Sequence, residues 1–218
     1  QYLIRQSKTD EEKESHLHWI EKAAKKGYGF AGFHMAMHHY KVDSEEDPTN
    51  ETAKEWCRLG CDTGSLASLM WFGNRFLESP ESHDEAEGYL KSACMMGDKY
   101  AQSFYGAWLV KHGKSFEAQA QGVAWLRKSL AQGHLSAICP LSEAIRKGQG
   151  AKVNLKEAHD LMAYGADMGR SECQCHLGIS YMYGDEVDID KERAHDLFQI
   201  ASLQGDLWAT HVLGITYE

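Results

Sequence analysis

The sequence predicts an all-α solenoid, a single array of helical hairpins packed neighbour to neighbour. Three observations carry the prediction. A glycine recurs at Gly27, Gly64, Gly97, Gly133, Gly169 and Gly205, with spacings of 37, 33, 36, 36 and 36. Small residues flank it at fixed offsets: Ala23, Gly60, Ala93, Ser129, Gly165 and Ala201 four before, and Ala31, Ser68, Ala101, Ala137, Cys173 and Ala209 four after. Large residues stand eight before (Trp19, Trp56, Tyr89, Trp125, Leu161, Leu197) and mostly twelve after (His39, Phe76, Leu109, Ile145, Tyr181, Tyr217). A fifth column, nine after, is small again: Ala36, Gly73, Gly106, Ser142, Gly178 and Gly214. A fixed period this long marks a repeat architecture in which each unit buries its apolar face on the next.

The stretch from Glu157 to Gly184 shows the unit at its clearest. Apolar and small residues recur every three to four positions on both sides of Gly169, the pattern of two amphipathic helices. Gly169 is where the first of them stops, because glycine enters the left-handed cap conformation without strain. Gly165 and Gly178 lie inside helices, where each costs roughly 1 kcal/mol against alanine. That cost predicts a close crossing, with another backbone passing where a side chain would stand.

Taken in order, residues 1–9 read as the remnant of an earlier helix, and the first convincing helix runs from about Asp10 to Lys26. It is of the second-helix type, so the array opens mid-repeat. Five hairpin-like units follow, the last incomplete, with loops near Lys41–Asp47, Glu78–Ser82, His112–Ser115, Gly148–Asn154 and Gly184–Asp190. Thr49, Ser82, Asn154 and Asp190 are N-cap residues for second helices, and Ser82 with Glu85 has the spacing of a capping box. Ala118 breaks that column, which moves the start of its helix to Ser115. Pro48 and Pro80 precede two caps, where helix is not wanted. Pro140 falls within a first helix and must kink it or delay its start. The array reaches Glu218 before its last helix receives a partner, so the expectation is either a longer natural protein or a disordered final helix.

The Leu177-Gly178-x-x-Tyr181-x-x-Gly184 ending, the Ala-x-x-Trp/Leu second helix and the period near 36 resemble the Sel-one-like repeats, relatives of the tetratricopeptide repeat. The resemblance covers nearly the whole chain, strongest from Glu157 to Tyr217 and weakest before Ala53. It implies a right-handed α/α superhelix of about five to six repeats, with residues 1–218 forming a single domain. It also implies the roles such proteins fill: adaptors, signalling scaffolds, and bacterial proteins that face hosts or competitors.

Composition narrows the function classes. Lys plus Arg at 23 against Asp plus Glu at 32 gives a net charge of −9, unsuited to nucleic acid or anionic membrane. No apolar run approaches the roughly 20 residues of a membrane span, and Gln1–Arg5 carries no signal-peptide core; the expectation is either that there is no leader or that it was removed ahead of this chain. The six cysteines do not follow the hairpin-stapling pattern of some secreted relatives. Cys61 and Cys94 share a slot in successive repeats, as do Cys139 and Cys175. Such slots lie about 8–10 Å apart, too far for a disulfide, whose Cα atoms stand about 4.4–6.8 Å apart. Free thiols filling small core slots are expected, which favours the cytoplasm over the periplasm or secretion.

No nucleophile elbow, P-loop or dinucleotide turn occurs, so the chain reads as a non-enzyme that needs no cofactor. Cys57-x-x-x-Cys61 is not a redox motif. His34 and His38, four apart on one helix, have the spacing of a two-histidine metal pair, but no glutamate lies between them as in metalloprotease helices. They are retained as the basis of an alternative metal- or small-molecule-binding role. The leading candidates are positions seven and eleven after each glycine: His34/His38, Trp71/Arg75, Phe104/Trp108, Pro140/Ala144, His176/Ser180 and Val212/Thr216. By resemblance to tetratricopeptide solenoids these line the concave side. Tyr100, Phe104 and Trp108 run at one-turn intervals as an aromatic stripe, with Trp71 and Arg75 expected beside it on the neighbouring repeat. Tryptophan, tyrosine and arginine dominate binding hot spots. The expected function is therefore a protein-interaction scaffold or adaptor, its partner held by Trp71, Arg75, Tyr100, Phe104, Trp108 and His176. A bacterial immunity protein that neutralises a toxic effector is the alternative within binding proteins.

Overall fold

The computed structural model describes residues 10–42, 51–184 and 187–216. Thr49, Pro48, the carboxylates at 45–47 and 185–186, the segment 1–9 and Tyr217 lie outside the described residues. Among the described residues all regular structure is helical. Twelve α-helices follow one another: α1 Asp10–Lys25, α2 Gly29–Val42, α3 Glu51–Asp62, α4 Leu66–Phe76, α5 His83–Met95, α6 Lys99–His112, α7 Phe116–Ala131, α8 Ile138–Lys147, α9 Leu155–Asp167, α10 Ser171–Tyr183, α11 Lys191–Leu203 and α12 Leu207–Thr216. The chain divides at Gly97/Asp98 into two compact units. In the first, α2 packs most extensively on α3 and α4 on α5, with α1 against α2. In the second the pairs are α6 with α7, α8 with α9 and α10 with α11, and α12 closes on α11. Here the first helices also touch side by side, α6 with α8 and α8 with α10.

The predicted terminators all hold. Gly169 has φ +80°, Arg170 donates its N–H to the Gly165 carbonyl at 3.0 Å, and Gly27, Gly64, Gly97, Gly133 and Gly205 also have positive φ. The same bond, from the residue after the glycine to the carbonyl four before it, recurs at Tyr28, Ser65, His134 and Asp206. The small residue in that column is thus the acceptor that ends the second helix. Ser115, Asn154 and Asp190 cap as expected, accepting from Ala118, Glu157 and Arg193. Ser82 does not: its hydroxyl makes no cap bond, and Glu85 is drawn away to Arg58 and Tyr89, so the capping box is absent. First helices carry caps that spacing did not reveal, Asp98 bonded to the Ala101 N–H at 2.7 Å and Asp206 to that of Ala209 at 2.9 Å. Pro140 delays its helix. A 3₁₀ turn at Leu135–Ala137 precedes α8, which begins at Ile138, five residues past Gly133, whereas other first helices begin two past theirs.

The core is a series of junctions. In the second unit Val110, Leu126, Leu141, Ile145 and Ala158 form one cluster; Ile138, Cys139, Ala166, Cys173 and Leu177 a second; Cys175, Ala194, Phe198, Ala201 and Ala209 a third. Neighbour-to-neighbour burial of this kind is how a solenoid holds together. The deepest second-helix positions are not the large column eight before each glycine, where Trp19 is 60% exposed and the others are half-buried. They lie seven before, at Cys57, Leu90, Leu126 and Phe198, and eleven before, at Ala53, Ala86, Gly122, Ala158 and Ala194, all buried. The interior glycines answer to the first of these columns. Gly73 faces Leu90 and Gly178 faces Phe198, while Gly106 meets the Gly122 carbonyl first, with Leu126 beside it. At Gly178 the neighbour is therefore a ring and not a backbone, and at Gly165 it is the Cys173 sulfur.

Polar ties between repeats recur in every second unit. Arg58 donates from Nε and Nη2 to Glu85 at 2.8 and 3.0 Å, and Arg127 Nη2 to Glu157 at 2.6 Å. Both pairs join an arginine six before one terminator to a glutamate twelve before the next. Gln132 donates to buried Gln102, and Gln204 to buried Gln174, each at 2.8 Å.

Candidate functional site

In the first unit the candidate side chains form an aromatic and basic cluster. Trp71 on α4 is half-buried and meets Tyr40 of α2 edge-on, with ring centroids 5.5 Å apart, while Arg75 places its guanidinium 4.9 Å over the same Tyr40 ring. Arg75 is thus held by a cation–π contact one first helix away. His34 packs edge-on against Phe30 at 4.6 Å and Phe33 at 6.0 Å, and burial there pushes its imidazole below the ordinary range. His38 stacks edge-on with His39 at 5.4 Å. The two candidate metal ligands therefore sit among rings, and among the described residues no three His, Cys, Asp or Glu side chains converge as a metal-holding group.

In the second unit, helix α6 presents Tyr100, Phe104 and Trp108 on one face. Tyr100 is 56% exposed and Phe104 38%, whereas Trp108 is half-buried, stacked 5.4 Å from His112 and 6.3 Å from Tyr105. The stripe is therefore open at its N-terminal end and packed at its C-terminal end. Tyr100 also lies edge-on to His134 at 4.8 Å, where burial and the nearby Lys99 hold that imidazole below its usual range. Along the same layer Pro140 is half-buried, but Ala144 is fully buried in the core. Position eleven is thus not a groove position throughout, because an alanine there is short enough for α7 and α9 to cover.

His176 on α10 is exposed and stands between two clefts. One, of about 120 Å³, lies between α8, α9 and α10, with Glu143, Arg146, His159 and Ser180 at its rim and Ala158 and Met162 at its floor. The other, of about 340 Å³, lies toward α12 and is walled by Glu172, Cys175, Asp206 and Trp208. Ile179 is shared by both, so His176 and Ile179 form the ridge between them. Arg146 and Lys147 hold the Glu143 carboxyl below its ordinary range, against the effect of burial. Burial and the neighbouring Asp206 push the Cys175 thiol up to about 12. The clefts combine small apolar floors with charged rims, which suits side-chain recognition more than a reacting centre. His176 is among the residues that the repeat spacing singles out, whereas Arg146, His159 and Trp208 lie outside the positions seven and eleven after a terminator.

A solenoid of helix pairs with an aromatic first-helix face defines the class of repeat scaffold. The Sel1 repeat matches residues 17–28, 66–98, 99–134, 137–169 and 171–206, and the chain belongs to that family. Its structure is similar to c5321, a protective antigen of uropathogenic Escherichia coli strains displaying an SLR fold. The TM-score is 0.75 at 26% identity over 92% of this chain and 44% of that one. A Sel1 repeat protein from Oxalobacter formigenes aligns with a TM-score of 0.71 at 17% identity, covering 93% of this chain and 89% of its own. The chain thus spans less than half the length of the Escherichia coli antigen. No curated protein matches the sequence. Sel1-repeat proteins generally act as protein-interaction scaffolds. Among the described residues no helix is long and apolar enough to cross a membrane.

Proposed function

We propose that the chain is a non-enzymatic scaffold that holds a protein partner on its first-helix face, with Tyr100 and Phe104 as apolar anchors and His176 as a polar contact further along. Within the first unit, considered by itself, the candidates are Trp71 and Arg75. The supporting observation is the exposure of Tyr100 and Phe104, two neighbouring rings on one helix face that water would otherwise cover. Exposed aromatic patches of this kind mark interaction surfaces, and aromatic anchors supply most of the binding energy where they are buried by a partner. Trp108 is half-buried at the C-terminal end of the stripe, packed on Tyr105 and His112, so its truncation weakens the fold as well as the binding. Phe104 is the cleaner probe.

Copurification from the native cell tests the reading. The wild-type chain retains one partner in stoichiometric amount. Phe104→Ala keeps the helical circular dichroism and melting curve but loses about 2 kcal/mol or more of affinity. A partner held equally by Phe104→Ala and by Tyr100→Ala places the interface elsewhere.

A further inference from the structure

Two buried thiols are brought into contact by the stacking of consecutive repeats. The Sγ atoms of Cys139 on α8 and Cys173 on α10 lie 3.4 Å apart. The slots differ: Cys139 stands six after Gly133, and Cys173 four after Gly169. Comparison of like slots in successive repeats, which pairs Cys139 with Cys175, passes over this contact. The four-after slot holds alanine at Ala31, Ala101, Ala137 and Ala209 and serine at Ser68, so Cys173 is its one sulfur. Gly165 makes room for it, since a methyl there would collide with the Cys173 sulfur. Cys57 and Cys61 also touch, but they stand one turn apart on the same helix α3, so a bond between them would tie no two helices; Cys57 also donates to the Ser68 carbonyl, and Cys175 donates to Asp206.

We propose that Cys139 and Cys173 are a disulfide-forming pair that ties α8 to α10 when the protein meets a small-molecule disulfide. The sulfurs must close by roughly 1.4 Å to reach bonding distance, within reach of side-chain rotation. Cys139 keeps 8% exposure and Cys173 none, so the incoming disulfide meets Cys139. The contact with Cys173 and burial push the Cys139 thiol up, and the same contact holds Cys173 below its ordinary range. Cys139 gives up its proton to water and attacks one sulfur of RS–SR. The S–S bond of the oxidant breaks, RS⁻ leaves, and Cys139–S–SR forms. Cys173 then gives up its proton and attacks the Cys139 sulfur, expelling the second RS⁻. Two protein thiols and one RS–SR become one protein disulfide and two RSH, the oxidant carrying away both electrons and both protons.

The test uses the folded chain and glutathione disulfide, followed by alkylation of remaining thiols, tryptic digestion and tandem mass spectrometry. The expected result is one cross-linked peptide pair joining Cys139 to Cys173, with fragmentation excluding Cys175, and alkyl groups on the remaining cysteines. Melting of the oxidised wild type shifts upward and returns with a dithiol reductant. Cys173→Ala, which installs the residue four other repeats carry there, gives no cross-link and no shift. Alkylation of both Cys139 and Cys173 after oxidation overturns the proposal, as does a lasting mixed disulfide at Cys139 or a bond to Cys175. The peptide map on the wild type decides the question without any variant.

Discussion

Gly106 and Gly178 occupy the same column, nine residues past their terminators, yet the helix pairs they serve are built differently. At the α6–α7 crossing a methyl on Gly106 would stand 2.8 Å from the Gly122 carbonyl oxygen, and one on Gly122 2.7 Å from that of Gly106. Two backbones are in contact there, with Leu126 filling the space beside them. At the α10–α11 crossing the residue equivalent to Gly122 is Ala194, which is fully buried. With that methyl present, the nearest atoms to Gly178 are those of the Phe198 ring, 2.9 Å from where its Cβ would be. One glycine column thus has two physical causes, and they predict different tolerances. Backbone cannot yield without moving a helix, whereas the rim of a ring can shift by a few tenths of an ångström.

The largest effect is expected at the ring. Phe198→Ala empties the α10–α11 junction and should cost about 3–5 kcal/mol in urea unfolding. A loss below about 1 kcal/mol would mean that the junction collapses onto Ala194 and that the ring does not hold the helices apart.

Next comes the backbone contact, best judged by one methyl added at each crossing. Helix propensity alone favours alanine over glycine by about 1 kcal/mol at either site. Gly122→Ala should nevertheless destabilise by about 1–3 kcal/mol through overpacking, although alanine is what Ala53, Ala86, Ala158 and Ala194 supply in the other repeats. Gly178→Ala should stay within about 1 kcal/mol of wild type, propensity offsetting a small ring displacement. Equal responses of the two melting curves would erase the distinction between the crossings.

The smallest effects concern the caps of second helices. Asp190→Ala loses the bond to the Arg193 N–H and should cost about 0.5–2 kcal/mol. Ser82→Ala should change stability by no more than about 0.5 kcal/mol, because its hydroxyl makes no cap bond. A loss at Ser82 matching that at Asp190 would show that the cap forms in solution.

The limits of a one-repeat alignment are visible in particular residues. The glycine at 165 or 178 announces that something lies close, but not whether it is a backbone, a ring or a sulfur. The Arg58–Glu85 and Arg127–Glu157 ties, and the Gln102–Gln132 and Gln174–Gln204 ties, recur only in every second unit, so columns read one repeat at a time average them away. Ser82 and Glu85 had the right spacing for a capping box, but a guanidinium from another helix competed for the carboxylate. Of the candidate positions, Phe104 and His176, seven after their terminators, are exposed, while Ala144, eleven after its own, is core. Arg146, His159 and Trp208 carried no periodic signal that singled them out.

What the sequence by itself determined is whatever depends on residues a few positions apart. The terminating glycines, the caps at Asn154 and Asp190, the helical period and the delay at Pro140 all follow from local conformation, which nearby residues decide. The repetition of those signals every 36 or so residues then determines the fold class, because equal units can bury equal faces only on one another. Tertiary structure alone decided which positions face which. It set Cys139 against Cys173, brought Tyr40 beneath Arg75, and left Tyr100 and Phe104 open while covering Ala144. Those outcomes depend on the rotation and spacing of helices about 30 residues apart in the chain, and small differences in side-chain volume at each junction set both.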